Sequence, residues 1–349
     1  MSSHPRIMGI GTANPARRYT QREIYDISAR HFPMYRNPRI EQIFMGSDID
    51  SRHFAFDQET FVPNESADQL HERFAEHSVK LGKQAILRCL DDASATAQDI
   101  DFVIAVSCTG YLCPGLSAIL IKELGMRKNL QRADLIGMGC AGAMPGLQRA
   151  YDYVTAYPAK KALVLTVEIC SACYYVDDSL ETVVGNAICG DGAAAVLVGN
   201  HAEGKGPEIV RFETLLEPSF LDTVGFQFRE GKLRIVLSKD IRDAAGGLAG
   251  KLIDELLAGS RLRKDEVAHW IVHSGGRKVI DSIMEEVGLT EEQLRHSRRV
   301  LRNFGNMSSP TVLFVLQETI THSIPEKGDT GVMLAMGPGL AVEGAVIRW

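Results

Sequence analysis

The sequence predicts an α/β protein made of two similar halves, stacked as a duplicated five-layered αβαβα body. Three observations predict it. Short runs of β-branched and aliphatic residues, too apolar for half-exposed strands, alternate with helical stretches. Strands of that kind are covered by helices on both faces. The order strand–helix–strand–helix–strand–strand occurs twice, and the copies keep a nearly constant offset, from Ile100 to Val267 and from Cys140 to Asn306. The first half is assigned to residues 1–200 and the second to residues 201–349.

Each copy opens on a helix that ends in leucine. "AILRCLDDASATAQDIDFVIAVSCTG" (Ala85–Gly110) matches "LIDELLAGSRLRKDEVAHWIVHSGG" (Leu252–Gly276). After Leu90 or Leu257 come nine polar connector residues, then a buried strand ending in polar residues and glycine. Next, "ADLIGMGC" is a strand-like run that leads through small residues into the helical "PGLQRAYDYV". Its counterpart "RRVLRNFGN" leads through "MSSP" into the helical "TVLFVLQETI". Pro145 and Pro310 suit the first turn of a helix. The strand pairs "KALVLTVEIC" with "GAAAVLVG", and "TGVMLAMG" with "AVEGAVIRW", close the two halves. Residues Ser171–Gly192 form a long insertion in the first pair, where the second has only "PGL".

The bulk numbers bound the function. The chain has 349 residues, 45% apolar and 23% charged, so a full-sized core needs no metal or disulfide staple. A net charge of −6 argues against nucleic-acid binding through phosphate contacts. No apolar run is long enough to span a membrane, and "MSSHPRIMGIG" lacks the pattern of a signal peptide. The seven cysteines are an odd number, expected as free thiols in a reducing compartment, the cytoplasm.

The duplication sets Cys140, His273 and Asn306 at equivalent strand ends, where α/β proteins hold ligands. Cys140 lies at a helix N-terminus, a position that favours thiolate, and an imidazolium nearby would favour it further. His273 sits on a "SGG" turn that presents its ring. Asn306 offers an amide donor for a developing oxyanion. Singly, each has a bland explanation: most cysteines are packing, and most lone histidines are structural. Nor does a Cys–His–Asn set name a reaction, since cysteine proteases use the same residue types. Matched positions in a duplicated chain favour catalysis.

"GMGCAGAMPGLQRA", "VHSGGRKVID", "NFGNMSSPTVLFVL" and "GPGLAVEGAVIRW", with "CTGYLCPG" and "GDGAAAVLVG", resemble a type III polyketide synthase. That is the chalcone-synthase-like branch of the thiolase superfamily. Related ketoacyl synthases III follow their histidine with Gln-Ala-Asn; here Ser-Gly-Gly-Arg follows, as in the polyketide branch. The resemblance implies a thiolase fold and an acyltransferase that uses coenzyme A thioesters without a cofactor or metal. Cys140 would carry the acyl chain. His273 and Asn306 would bind the thioester carbonyl of malonyl-CoA and stabilise the enolate left by decarboxylation.

Carried over position by position, the resemblance marks a cavity with several departures. Cys189 and Ile235 stand where the family has gate phenylalanines, and Met336 stands in the aromatic place of its Gly-Phe-Gly-Pro-Gly motif. Cys170 and Cys173 replace the threonines of plant members, in a stretch, "EICSACYY", similar to naphthalene-forming bacterial enzymes. Their CxxC spacing lacks the second pair of a zinc site. Phe226 replaces a plant glycine and would shrink the cavity. The histidine loop resembles that of phloroglucinol-forming enzymes. Cys108 and Ser308 also fall at the cavity, and Cys113 is the position that reaches the partner's cavity in a homodimer. Arg39 matches a CoA-binding cation, whereas Gln42 and Gly46 replace two others; Arg277 and Lys278 could compensate.

The implied reaction is iterative condensation of malonyl-CoA to a small aromatic or pyrone, with malonyl-CoA as the favoured sole substrate. Its rivals are a synthase primed by a long acyl-CoA, a ketoacyl synthase making one condensation, a cysteine hydrolase and a silent thiolase-fold partner. The intact Cys140–His273–Asn306 set speaks against the last.

Overall fold

The computed structural model describes residues 4–57, 64–200, 206–238 and 241–349, without the side chains of residues 242 and 243. In the first half the chain runs β1 (Arg6–Ala13), β2 (Arg18–Thr20), α1 (Gln21–His31), α2 (Pro38–Met45), β3 (Ser51–His53) and α3 (Ala67–Asp92). It continues through β4 (Phe102–Val106), α4 (Leu116–Glu123), β5 (Gln131–Leu135), α5 (Ala143–Ala156), β6 (Ala162–Glu168), α6 (Leu180–Ile188) and β7 (Gly192–Gly199). The second half begins with β8 (Glu208–Leu216), the hairpin β9 (Val224–Arg229) and β10 (Lys232–Leu237), α7 (Ile241–Ser260), β11 (Val267–Val272) and α8 (Arg277–Val287). It ends with α9 (Arg295–Phe304), α10 (Thr311–Ser323), β12 (Thr330–Gly337) and β13 (Ala341–Arg348). Local chemistry sets several starts. Thr20 with Glu23, and Ser66 with Gln69, form capping boxes on α1 and α3.

The main sheet runs β11-β12-β13-β8-β1-β7-β6-β4-β5. Strands β4, β5 and β6 are parallel, as are β11 and β12; the strands between them are antiparallel. Within the main sheet the strands of the two halves meet at the pairing of Arg6 with Glu208, which is also an ion pair at 2.8 Å.

Both faces of the strands are buried, which is why they do not alternate in sequence. On β6, Leu163 and Leu165 pack with Leu81, Ile86 and Leu120 of α3 and α4. Val164 points the other way, into a cluster with Met144 and Leu147 of α5 and Leu313 and Leu316 of α10. On β12, Met333 and Ala335 join that central cluster, while Val332 and Leu334 pack with Leu252 and Leu256 of α7 and Ile280 of α8. The layers are therefore α3/α4, sheet, α5/α10, sheet and α7/α8. Each fully buried Leu, Ile or Val side chain contributes about 1.5–3 kcal/mol.

One segment departs from the duplication. "RRVLRNFGN", expected to echo the strand-like "ADLIGMGC", is mostly helix α9, so Asn306 follows a helix and not a strand end. His296, Ser297, Val300 and Leu301 are buried at helical spacing, and the arginines between them reach outward. Arg298 pairs with Asp281 at 2.6 Å and with Glu291 at 2.9 Å. Four arginines in eight residues suit a helix with one wet face better than a strand covered on both.

Candidate active site

Cys140 is presented by a tight reversal after β5. Gly137 (φ +80°) and Gly139 (φ +51°) adopt left-handed backbone, which glycine enters without strain. A short 3-10 turn, Gly139–Ala141, then carries Cys140 to the start of α5. The turn is docked on the loop after β12: a Cβ on Gly139 would collide with the Pro338 ring, and one on Gly337 would meet Met138 O. The glycines of "GMGC" and "MGPG" are thus small for one another's sake.

Asn306 is stitched to the end of α6. Its N–H donates to Ile188 O (2.8 Å), and its carbonyl accepts from Gly190 N–H (3.0 Å), making a lone parallel bridge with Cys189. Its side-chain Oδ1 accepts from Ser308 N–H at 2.8 Å, and Nδ2 donates to Gly275 O at 3.2 Å. Nδ2 also stands 3.9 Å from Cys140 Sγ. His273 follows β11 directly; its N–H donates to Leu334 O (2.8 Å) and extends the ladder with β12 by one residue. The ring is buried, and Nδ1 has no partner among the described residues.

Electrostatics at the site differ from the sequence expectation of a thiolate. Burial pushes the Cys140 thiol up to about 12, against the hydrogen bonds from Ser308 and Asn306. Burial also pulls His273 down to about 4. Both groups are neutral at pH 7: removal from water outweighs the helix terminus, and no hydrogen bond joins the thiol to the ring.

A second layer, absent from the sequence reading, holds these groups. Glu168 ends β6 fully buried. Its Oε2 accepts from Cys108 N–H (3.0 Å), Thr109 N–H (3.1 Å), Thr109 Oγ1 (2.8 Å) and Ser107 Oγ (3.2 Å). Its Oε1 accepts from Ser309 Oγ (2.6 Å) and the Cys108 thiol (3.4 Å). Cys108 Sγ and Ser308 Oγ are 3.4 Å apart. Glu168 therefore ties the Ser308–Ser309 turn of one half to the strand ends of the other. The signal was an acid closing the apolar run "ALVLTVE".

Beside this cluster lies a cavity walled by Phe54, Cys170, Cys173, Tyr174, Cys189, Phe226 and Ile235. Phe226 and Ile235 are cross-strand partners on the β9–β10 hairpin. A smaller apolar cleft, lined by Ile24, Ile27 and Phe56, shares Phe54 and Tyr174 with it.

Two family models cover almost the whole chain: chalcone and stilbene synthases, N-terminal domain, over residues 3–202, and the C-terminal domain over residues 216–349. The chain belongs to the chalcone and stilbene synthase family. It is 34% identical to the 3,5-dihydroxyphenylacetyl-CoA synthase of Streptomyces toyocaensis, over 99% of this chain and 90% of that one. It is 32% identical to the 1,3,6,8-tetrahydroxynaphthalene synthase of Streptomyces peucetius subsp. caesius, over 98% and 93%. Among solved structures, PKS-I from the brown alga Ectocarpus siliculosus superposes with a TM-score of 0.94 at 31% identity, covering 100% of this chain and 99% of the other. The chain is a type III polyketide synthase of the thiolase fold, an acyltransferase-type condensing enzyme. Its family works on CoA thioesters and needs no further cofactor. Among the described residues no helix is long and apolar enough to cross a membrane.

In this type III polyketide synthase the structure gathers Cys140, Asn306, Ser308 and Cys108 into one hydrogen-bonded cluster, with His273 two residues from the Gly275 carbonyl that binds Asn306. Cys170, Cys173, Cys189, Phe226 and Ile235 line one wall of the cavity. Met336 is buried on the opposite side of β12 from Ala335, in the cluster that holds Leu334, Leu340 and Phe54 and against which Cys189 packs. Cys113 is exposed and lies outside this chain's cavity wall. Arg39, Arg277 and Lys278 are exposed, and Arg277 reaches Asp48, just after α2, at 4.0 Å.

Proposed function

We propose that this type III polyketide synthase builds a small aromatic product from malonyl-CoA alone, with Cys140, His273 and Asn306 as its catalytic residues. Cys140 Sγ attacks the acyl-CoA carbonyl; its proton passes to the neutral His273, and coenzyme A leaves. The carbonyl of a malonyl-CoA thioester then lies against His273 and the free Nδ2 hydrogen of Asn306. Carbon dioxide departs, and its electron pair forms an enolate held by those donors. The enolate carbon attacks the acyl–Cys140 thioester and expels the thiolate. Repetition and ring closure complete the product. A low local dielectric favours this step, because a carboxylate with few partners loses carbon dioxide more readily than a hydrated one.

The observation that carries the reading is the Cys140–Asn306 approach beside a cavity narrowed by the Phe226–Ile235 pair. Relatives named for dihydroxyphenylacetyl-CoA and tetrahydroxynaphthalene, both compact aromatic products, support it. The test is mass spectrometry of products formed from malonyl-CoA alone. No product without an added acyl-CoA sinks the sole-substrate reading.

The apolar cleft behind Phe54 and Tyr174 favours one rival, priming by a long acyl chain. That reading requires fatty acyl-CoAs to appear in the product and to raise turnover. Cys113, exposed beside the 63% exposed Tyr111, supports a homodimer in which it enters the partner's cavity; sedimentation would give the mass. Arg39, Arg277 and Lys278 are the cations offered to the CoA phosphates. The free thiols agree with work in a reducing cytoplasm.

A further inference from the structure

The last carbonyls of a helix lack partners within it and must find them elsewhere. At the end of α6 all four are taken. Gly185 O accepts from Cys189 N–H (3.0 Å), and Ile188 O from Asn306 N–H (2.8 Å). Ala187 O accepts from Gln21 Nε2 at 2.6 Å. Arg52 Nη1 donates to Asn186 O (2.8 Å) and, one residue past the helix, to Cys189 O (2.6 Å). Arg52 Nε donates to Gln21 Oε1 at 3.0 Å, so Arg52 and Gln21 act as one clamp. Arg52 is 0% exposed, and its guanidinium lies over the Phe54 ring, 5.1 Å from the centroid. Burial pulls this group down to about 10, which leaves it a cation at pH 7. A cation is favourable at a helix C-terminus, and hydrogen bonds from a charged donor are stronger than neutral ones.

The same short strand holds the other approach to Asn306. Arg52 lies on β3, and its neighbours bind the last turn of α9: Asp50 N–H donates to Arg302 O (2.8 Å), and Ser51 Oγ to Asn303 O (3.3 Å). The Arg52 stem fills the space beside Gly305, where an added Cβ would stand 2.7 Å from Arg52 Cδ and 2.5 Å from Ile188 O. β3 thus splints the ends of α6 and α9. Asn306 is stitched between those ends, by its bonds to Ile188 and Gly190. Cys140 is carried by a different turn, after β5.

We propose that Arg52 is a positioning residue for decarboxylation: by clamping the end of α6, it holds Asn306 with its amide aimed at the space beside Cys140. The role rests on the reading of Asn306 as an oxyanion donor. Arg52 acts through backbone, since its acceptors at α6 are the two carbonyls that flank the Asn306 bridge. Without the clamp those carbonyls are buried and unpaired, and the end of α6 must shift to satisfy them. A catalytic group displaced by ~1 Å can lose about 10²-fold in rate.

The test measures two steps separately in the intact enzyme. One is release of carbon dioxide from malonyl-CoA; the other is acylation of Cys140 by acetyl-CoA, read as intact mass. Arg52→Met keeps a stem beside Gly305 but removes the charge and the donors. It should cut carbon dioxide release about 10–100-fold, while Cys140 is still acylated at the wild-type rate. With Asn306→Ala already in place, Arg52→Met should cost nothing more, because the group it positions is gone. Arg52→Lys retains the charge and donors for the carbonyls, so its loss should be smaller. Should Arg52→Met fail to fold, Arg52→Lys carries the same comparison, and its loss should disappear beside Asn306→Ala. The proposal is overturned if the Arg52 variants slow both steps alike, or cost the same factor with and without Asn306→Ala. Loss of carbon dioxide release in Asn306→Ala, but none in Arg52→Met, overturns the positioning role alone. Full release in Asn306→Ala overturns the reading of Asn306 and this role with it.

Discussion

The side-chain amide of Asn306 is fixed from two sides: Oδ1 accepts from Ser308 N–H at 2.8 Å, and Nδ2 donates to Gly275 O at 3.2 Å. An amide nitrogen carries two hydrogens. The one left over faces the space by Cys140 Sγ, 3.9 Å away. Such a donor is pre-aimed and needs no reorganisation when an oxyanion develops. Asn306→Ala should therefore cut malonyl-CoA decarboxylation and condensation about 10²–10³-fold. Acylation of Cys140 by an acyl-CoA, followed by intact mass, should persist. Equal loss of both steps would mean that Asn306 only supports the thiol.

Ser308 supplies the N–H that orients that amide, and it does so from left-handed backbone (φ +58°). A β-branched side chain at such an angle costs ~1–2 kcal/mol. Ser308→Val should lower the unfolding midpoint and reduce turnover, since a shift of the turn re-aims Asn306. Ser308→Gly accepts the angle and should retain most of the turnover. Equal turnover in the two variants would show that the strained turn does not set the amide.

What the sequence disclosed follows how local its signals are. Strands β6, β7, β12 and β13 announce themselves by largely apolar runs, and Cys140 and His273 by the glycines beside them. Segment 295–304 misled because its duplication partner is a strand, although its arginines and buried Val300 and Leu301 follow a helical period. Glu168 was invisible because its partners are distant: Ser309 lies 141 residues from it. A buried charge is legible only once its acceptors or donors are in place.

His273 should leave a mark on stability. Burial lowers it from 6.5 to about 4, so between those values the folded chain binds fewer protons than the unfolded chain. Stability from this ring is therefore present above pH 6.5 and is lost as pH falls toward 4. A depression of that size is worth ~3 kcal/mol. Asp191 works with the opposite sign: burial raises it from 3.8 to about 6, so its contribution declines as pH rises through that window. Comparing wild type with His273→Gln cancels Asp191 and every other shared group. The stability difference, from urea titrations, should grow in favour of wild type by up to ~3 kcal/mol between pH 4 and pH 6.5. A constant difference would mean that the ring is not held neutral.

The Phe226–Ile235 pair gives the most direct handle on product size. The two residues face each other across the β9–β10 hairpin, and both wall the cavity. The hairpin is a separate two-stranded sheet, so trimming it leaves the core layers untouched. Gly185 lies so close below Ile235 that an added Cβ would collide with its branched methyl. Removing the Phe226 ring should therefore enlarge the cavity, while Gly185→Ala should push Ile235 inward and shrink it. A polyketide stops growing when its walls favour ring closure over another extension. Phe226→Gly should shift products from malonyl-CoA toward longer chains, and Gly185→Ala toward shorter ones, with Cys140 still acylated in both. Unchanged product masses in both variants would place the length-setting wall elsewhere, with the cleft behind Phe54 and Tyr174 the next surface to alter.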